Sequence, residues 1–85
     1  MKEFTYTIKD ELGIHARPAG LLVKCAKSCG SKITIKFKDK SADAEKLFSI
    51  MGMSVKQGDT LNVIIEGDTE EKDYNTILNF FETNL

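Results

Sequence analysis

The chain carries a single histidine, His15, and its surroundings set it apart from an ordinary loop residue: Gly13-Ile14-His15-Ala16-Arg17-Pro18-Ala19. The segment runs from a turn into a helix. A helix start offers unpaired N–H groups and a partial positive charge, so an anion is stabilised there before any side chain acts. Arg17 adds a planar guanidinium two residues on, with a fork that suits phosphate oxygens. Imidazole is a competent nucleophile, so a phosphoryl group could be held covalently at His15, its charge answered by Arg17 and by the backbone amides of Ala16 and Arg17. Taken alone, a lone histidine is more often a solvated loop residue. Glycine, histidine, arginine and proline together at this spacing, at a helix N-terminus and in a chain this short, favour the chemical reading.

Other candidates carry less. Cys25 and Cys29 are four apart, the spacing of one helical face. Two thiols without a second ligand pair do not make a tetrahedral zinc site, so they are expected to be free, half-buried thiols, and neither a metal nor a cofactor is expected. Asp68, Glu70, Glu71 and Asp73 gather where the last helix should begin, where acidic side chains favour the helix dipole, and read as structural.

The elements that must position His15 follow from periodicity. Phe4, Tyr6 and Ile8 alternate with threonines, predicting a strand over about Glu3 to Ile8, broken by Asp10 to Gly13. Ala19, Leu22, Val23 and Ala26 form the stripe of a helix from Ala16 to about Lys27. Pro18 fits its first turn, where the missing N–H would have no intrahelical acceptor, and Gly30 marks the exit. Ile33, Ile35 and Phe37 alternate with lysines in a second strand. Asp39-Lys40 is the expected turn into a short strand around Lys40 to Ala42. Asp43 is expected to cap a short helix whose Ala44, Leu47, Phe48 and Met51 share a stripe, ending at Gly52. Gly58-Asp59 turns into a strand over Thr60 to Glu66. Asp68 with Glu71 resembles a capping box for a terminal helix striped with Tyr74, Ile77, Leu78 and Phe81. The order βαββαβα predicts an α+β open-faced sandwich: a four-stranded, mainly antiparallel sheet with three helices on one face.

Composition bounds the function. Eighty-five residues are expected to make one domain, 1–85, burying about 60–65 % of the unfolded chain's surface, too thin a core for a roomy closed pocket. Work is therefore expected on the surface. Twelve Lys and Arg against 13 Asp and Glu give a net charge of −1, too balanced for a domain whose task is gripping nucleic acid. The cysteine count gives no multi-bridge framework, no signal-like start is present and no apolar run reaches membrane-spanning length, so a cytoplasmic protein without direct membrane insertion is expected.

The motif at His15, with Lys24 and Lys27, Lys40-Ser41-Ala42, Leu47-Phe48 and Gln57-Gly58, resembles the histidine-containing phosphocarrier (HPr) family of the bacterial phosphoenolpyruvate-dependent sugar phosphotransferase system, over essentially all 85 residues. The resemblance implies a phosphocarrier rather than an enzyme: enzyme I passes phosphate to Nδ1 of His15, Arg17 stabilises it, and IIA domains of sugar permeases accept it. It also implies a partner surface at Gly20, Leu21, Lys24, Lys27, Lys46, Leu47, Phe48 and Met51, on what is expected to be a monomer. Helical spacing alone would assign Leu47, Phe48 and Met51 to the core, whereas large soft side chains on a short helix, with Met53 nearby, suit a surface that docks several partners. The lysines have their own plain reading as a solvated face.

One position departs from the family. Without gaps, the regulatory serine that many members present to an ATP-dependent kinase falls on Lys46, while Ser49-Ile50-Met51-Gly52 lies three residues late. The ungapped register keeps Leu47, Phe48 and Gln57-Gly58 in place and leaves Ser49 as an ordinary helix residue. Two rival readings are a paralogous carrier in a regulatory or nitrogen-related branch, and a small α+β RNA-binding module. The net charge and the lack of an aromatic pair on the lysine-rich strand argue against the second.

Overall fold

A computed structural model describes the whole chain, Met1–Leu85. Its elements are β1 (Lys2–Thr7), α1 (Ala16–Ser28), β2 (Lys32–Phe37), β3 (Lys40–Asp43), α2 (Leu47–Gly52), β4 (Thr60–Glu66) and α3 (Glu70–Asn84). The sheet order is β1-β4-β2-β3 with every neighbouring pair antiparallel. Both the element order and the open four-stranded sheet with three helices agree with the sequence reading.

Register explains why the alternation was so clean. Phe4, Val63, Ile35 and Ala42 stand side by side in one row across the sheet, and all four are buried. The row beside it on the opposite face is Thr5, Asn62, Lys36 and Ser41. One face is thus apolar, and Leu22 and Ala26 of α1, Ile50 of α2, and Ile77 and Phe81 of α3 join it in a single core. Burying a Leu, Ile or Phe side chain contributes about 1.5–3 kcal/mol, so this one layer of contacts supplies most of the driving force. Phe81 sets α3 over β1, its ring edge-on to Phe4 at 5.7 Å and to Tyr6 at 5.5 Å. That placement brings the last residues of α3 beside the β1–α1 loop.

Several local expectations are corrected. Asp43 does not cap α2: it belongs to β3, paired with Thr34, and its Oδ1 accepts the N–H of Glu45 in a tight local turn. Ala44 is likewise outside the helix, its N–H bonded to Ile33 O. The helix starts three residues later with Lys46 at the N-cap and no side-chain cap bond. The β2–β3 turn falls on Lys38 and Asp39 rather than Asp39 and Lys40, with Lys38 at φ 56°. Before α3, Asp68 and Glu71 form no capping box. The N-cap is Thr69, and Glu70 accepts the Gly67 N–H instead.

Asp73 is more than a dipole-favouring surface acid. It is buried, and its Oδ2 accepts the Ser31 N–H at 3.0 Å, the Ser31 hydroxyl at 2.6 Å and the Thr69 hydroxyl at 2.7 Å. These bonds tie the start of α3 to the corner between α1 and β2. Gly67 permits the close approach, with φ +156° and space so limited that a Cβ would lie 3.0 Å from Ser31 Cα. Cys29 has left the helix as its C-cap, and its thiol is pushed up to about 11 by burial and by the Asp73 and Cys25 groups beside it. It stays protonated and unreactive at physiological pH.

Burial pushes the Asp73 carboxyl upward, but the Ser31 and Thr69 hydroxyls, the Cys29 thiol and the Ser31 N–H outweigh it and hold the group below the usual aspartate range. With the folded value depressed, its stabilisation is complete above the ordinary aspartate value of about 3.9 and drains away as pH falls below it. Asp73→Ala should lower stability by about 2–3 kcal/mol in urea melts at neutral pH, since buried donors lose their acceptor. Melts repeated through the acid range should show the wild-type advantage shrinking below about pH 3.9.

Candidate functional site

His15 enters α1 as its N-cap, with extended backbone (φ −97°, ψ −177°) and no cap bond from its side chain. Residues at this position normally spend their side chain on the helix N–H groups. Here the first backbone bond, Ala19 N–H to His15 O at 3.0 Å, closes the turn, and the Ala16 and Arg17 N–H groups that precede it stay open to a ligand. Main chain, not the imidazole, therefore fixes the ring's position.

The loop before it is held by oxygens from three other segments. Ile8 N–H donates to Asp59 O, Ile14 N–H to Val55 O, and the Lys9 and Asp10 N–H groups both donate to the Leu85 oxygen, at 2.6 and 3.0 Å. Inside the loop, Leu12 N–H donates to Asp10 Oδ1 at 2.9 Å and Gly13 N–H to Asp10 O at 3.0 Å. Gly13 lies at φ +68°, and a Cβ there would fall on Val55 O and 2.7 Å from Lys56 Cα. Only glycine fits this contact.

His15, Arg17, Pro18 and Leu21 of the N-cap and α1 share an open pocket of about 240 Å³ with Asp10, Thr83 and Asn84. The imidazole is about one-third exposed, 34 %, and its Nε2 is 3.9 Å from Asp10 Oδ1. Half in and half out, the ring is accessible to a partner yet backed by protein. The arrangement has the parts of a phosphoryl site: a reachable ring nitrogen, a guanidinium on the same pocket wall and free amides at the mouth of a helix. The structure places His15 and Arg17 on one pocket, and the Ala16 and Arg17 amides follow His15 in the first turn of α1. Asp10, Thr83 and Asn84 were not foreseen: Thr83 and Asn84 arrive with α3, and Asp10 is set by the turn of its own loop.

These features match a known group of proteins. The family model described as the PTS HPr component phosphorylation site matches residues 2–83. The chain belongs to the HPr family. It is 35 % identical over 77 residues to the phosphocarrier protein HPr of Lysinibacillus sphaericus, covering 91 % of this chain and 88 % of that protein. To HPr of Mycoplasma capricolum subsp. capricolum it is 32 % identical, covering 85 % and 81 %. Among solved structures, HPr-C-His from Thermoanaerobacter tengcongensis superposes with a TM-score of 0.91 at 36 % identity, covering 98 % of this chain and 93 % of that one. HPr phosphocarriers are components of the phosphotransferase system, and no helix of this chain is long and apolar enough to cross a membrane.

The remaining residues singled out on the HPr pattern lie on α1 and α2, which pack against each other. Gly20, Leu21, Lys24, Lys27 and Lys46 are exposed, and no atom lies near where a Gly20 side chain would start. Phe48 is 83 % exposed and Met51 borders on exposure, whereas Leu47 is half-buried. The Leu47, Phe48, Met51 stripe thus does not face the core: Leu47 is half-buried, Phe48 and Met51 are exposed, and the inward residue of α2 is Ile50, outside that stripe. Met53 is buried and belongs to the core, not to the surface group suggested by its nearness to Met51. Ser49 is an exposed residue in α2, one turn in from Lys46.

Gly13→Ala should destabilise the chain by about 1–3 kcal/mol, because an L side chain must take a left-handed conformation and displace Val55 O. The Ile14 amide, which bonds to that oxygen, should lose protection in hydrogen exchange. Unchanged stability and exchange would show that the contact does not hold the loop.

Proposed function

We propose that this chain is a cytoplasmic, monomeric phosphocarrier, one domain over residues 1–85, that accepts phosphate from phosphorylated enzyme I on His15 and passes it to IIA domains of sugar permeases. The observation that carries this reading is the sole histidine at the N-cap of α1, its ring free of cap bonds, with Arg17 in the same pocket and the Ala16 and Arg17 amides open. The Nδ1 lone pair attacks phosphorus, the bond from phosphorus to the donor breaks, and a phosphoramidate forms. Charge on the transferring oxygens is met by the Arg17 guanidinium and the two amides, groups in place before the reaction starts. Return transfer reverses the step onto an acceptor. The chain turns over no free small molecule, so recognition belongs to its surface.

Leu21, Phe48 and Met51 provide exposed apolar area, and Gly20 lets a partner approach the α1 backbone closely. Lys24, Lys27 and Lys46 steer acidic partners and set orientation, and half-buried Leu47 lies on the same short helix as Phe48. Lys46 stands at the N-cap of α2, where the HPr resemblance puts a regulatory serine, and it carries no hydroxyl for a kinase. Docking should therefore be insensitive to an ATP-dependent serine kinase. That same departure also fits a paralogous carrier in a regulatory or nitrogen-related branch, whose chemistry at His15 would be identical and whose clients would differ.

Incubation with enzyme I and phosphoenolpyruvate should add one phosphate by intact mass, labile in acid and stable in base. His15→Ala should take none, and an acid-labile phosphate on that variant would disprove the assignment. Arg17→Ala should slow transfer by about a hundredfold, the loss expected of one preorganised charge-stabilising donor, with little change in melting temperature.

Phe48→Ala should weaken binding to enzyme I or a IIA domain by about 1–2 kcal/mol in a titration while leaving the urea midpoint nearly unchanged. A drop of about 3–5 kcal/mol in stability instead would be the signature of a core residue.

A further inference from the structure

The HPr pattern that assigns roles to His15 and Arg17 says nothing about Asp10, yet Asp10 is among the most firmly held residues of the loop. Its N–H donates to the Leu85 oxygen, its C=O accepts Gly13 N–H, and its Oδ1 accepts Leu12 N–H. Gly13, on the other side, is locked by its contact with Val55 and Lys56. The carboxylate therefore has little freedom to turn away, and Oδ1 faces one particular ring nitrogen, Nε2 of His15, across 3.9 Å. The distance is longer than a hydrogen bond but within reach of an electrostatic interaction between the carboxylate and a ring proton.

Other groups around the ring do not compete for that role. Arg17 is the remaining charged side chain lining the pocket and is cationic, α3 contributes the uncharged Thr83 and Asn84, and the Leu85 oxygen is engaged by backbone N–H groups.

Resting on the reading of His15 as the phosphoacceptor, we propose that Asp10 is a positioning residue that holds the ring proton on Nε2 and so keeps the Nδ1 lone pair free for phosphorus. The balance of the step shows what this achieves. A neutral ring with its proton on Nε2 attacks through Nδ1, the N–P bond forms as the donor's bond to phosphorus breaks, and the ring becomes cationic beside a carboxylate. On return transfer the N–P electron pair goes back to Nδ1 and a neutral imidazole departs. Without the Nε2 proton the leaving group would be an imidazolate anion, a far poorer one. No proton is exchanged with solvent in either direction.

The test compares wild type with Asp10→Asn, which keeps an oxygen for the Leu12 N–H and removes the charge. In the unphosphorylated wild type, nitrogen NMR of a histidine-labelled sample at a pH where the ring is neutral should place the proton on Nε2 alone. In Asp10→Asn the signals should move toward the mixture of both tautomers seen for free histidine. Phosphoryl transfer from the variant to a IIA domain should be slower by about fivefold, as expected for one charge at this distance in a solvated setting. A wild-type ring protonated on Nδ1, or a variant with wild-type nitrogen signals and transfer rate, would overturn the proposal. The wild-type spectrum decides even if the variant fails to fold. Because it is recorded without phosphate, it also separates the two claims: a wild type that takes no phosphate refutes the acceptor reading, not the placement of the proton.

Discussion

The imidazole of His15 must stay unbonded to its own helix if it is to react, so every restraint on its position has to come from the main chain around it. The β1–α1 loop meets that demand by giving its N–H groups to oxygens of distant segments: Asp59 at the start of β4, Val55 after α2, and Leu85 beyond α3. Each acceptor stands where it does because of a larger piece of packing. β4 is centred in the sheet by its pairing with both β1 and β2, and α3 is seated by Phe81 against Phe4 and Tyr6. The site is thereby a product of the whole core, although it occupies a few residues.

The same logic separates the two working parts of the surface. Close to His15 the molecule is rigid in its covalent neighbourhood, with a glycine no other residue can replace and a carboxylate fixed by backbone bonds. On α2 the demand is different, since Phe48 and Met51 are large, soft and exposed, and nothing in their own chain specifies what covers them. The proposed reading, one chemistry at His15 performed with several partners, needs this pairing of a fixed centre and an adaptable apolar rim.

Much of this was legible in the residues. Alternation in β1, β2 and β4 announced the sheet because one face of it is buried and the other is polar, and the His15 motif announced itself through residue types that serve helix starts and anions. What escaped did so for tertiary reasons. Asp43 looked like a helix cap until pairing with Thr34 claimed it for β3. Asp73 looked like one more acid in a solvated cluster, and only the approach of Ser31 makes it a buried anchor. Thr83 and Asn84 reach the pocket through the docking of α3, and Asp10 through the turn it makes with Leu12 and Gly13, neither of which a local periodicity encodes. The exposure of Phe48 lay between the two cases, since its spacing fitted a core stripe and its setting on a very short helix did not.

The strand order has a consequence for how the protein is made. β4 lies between β1 and β2, so Phe4 meets Val63 only after β2, β3 and α2 have been synthesised, and the sheet cannot close from β1, β2 and β3 alone. Pairings between residues so far apart in sequence are slow steps, because the intervening loop must lose its entropy before the contacts reward it. His15 is translated before all three oxygens that hold its loop, at Val55, Asp59 and Leu85. A chain cut short before these segments would carry His15 without the oxygens that hold its loop.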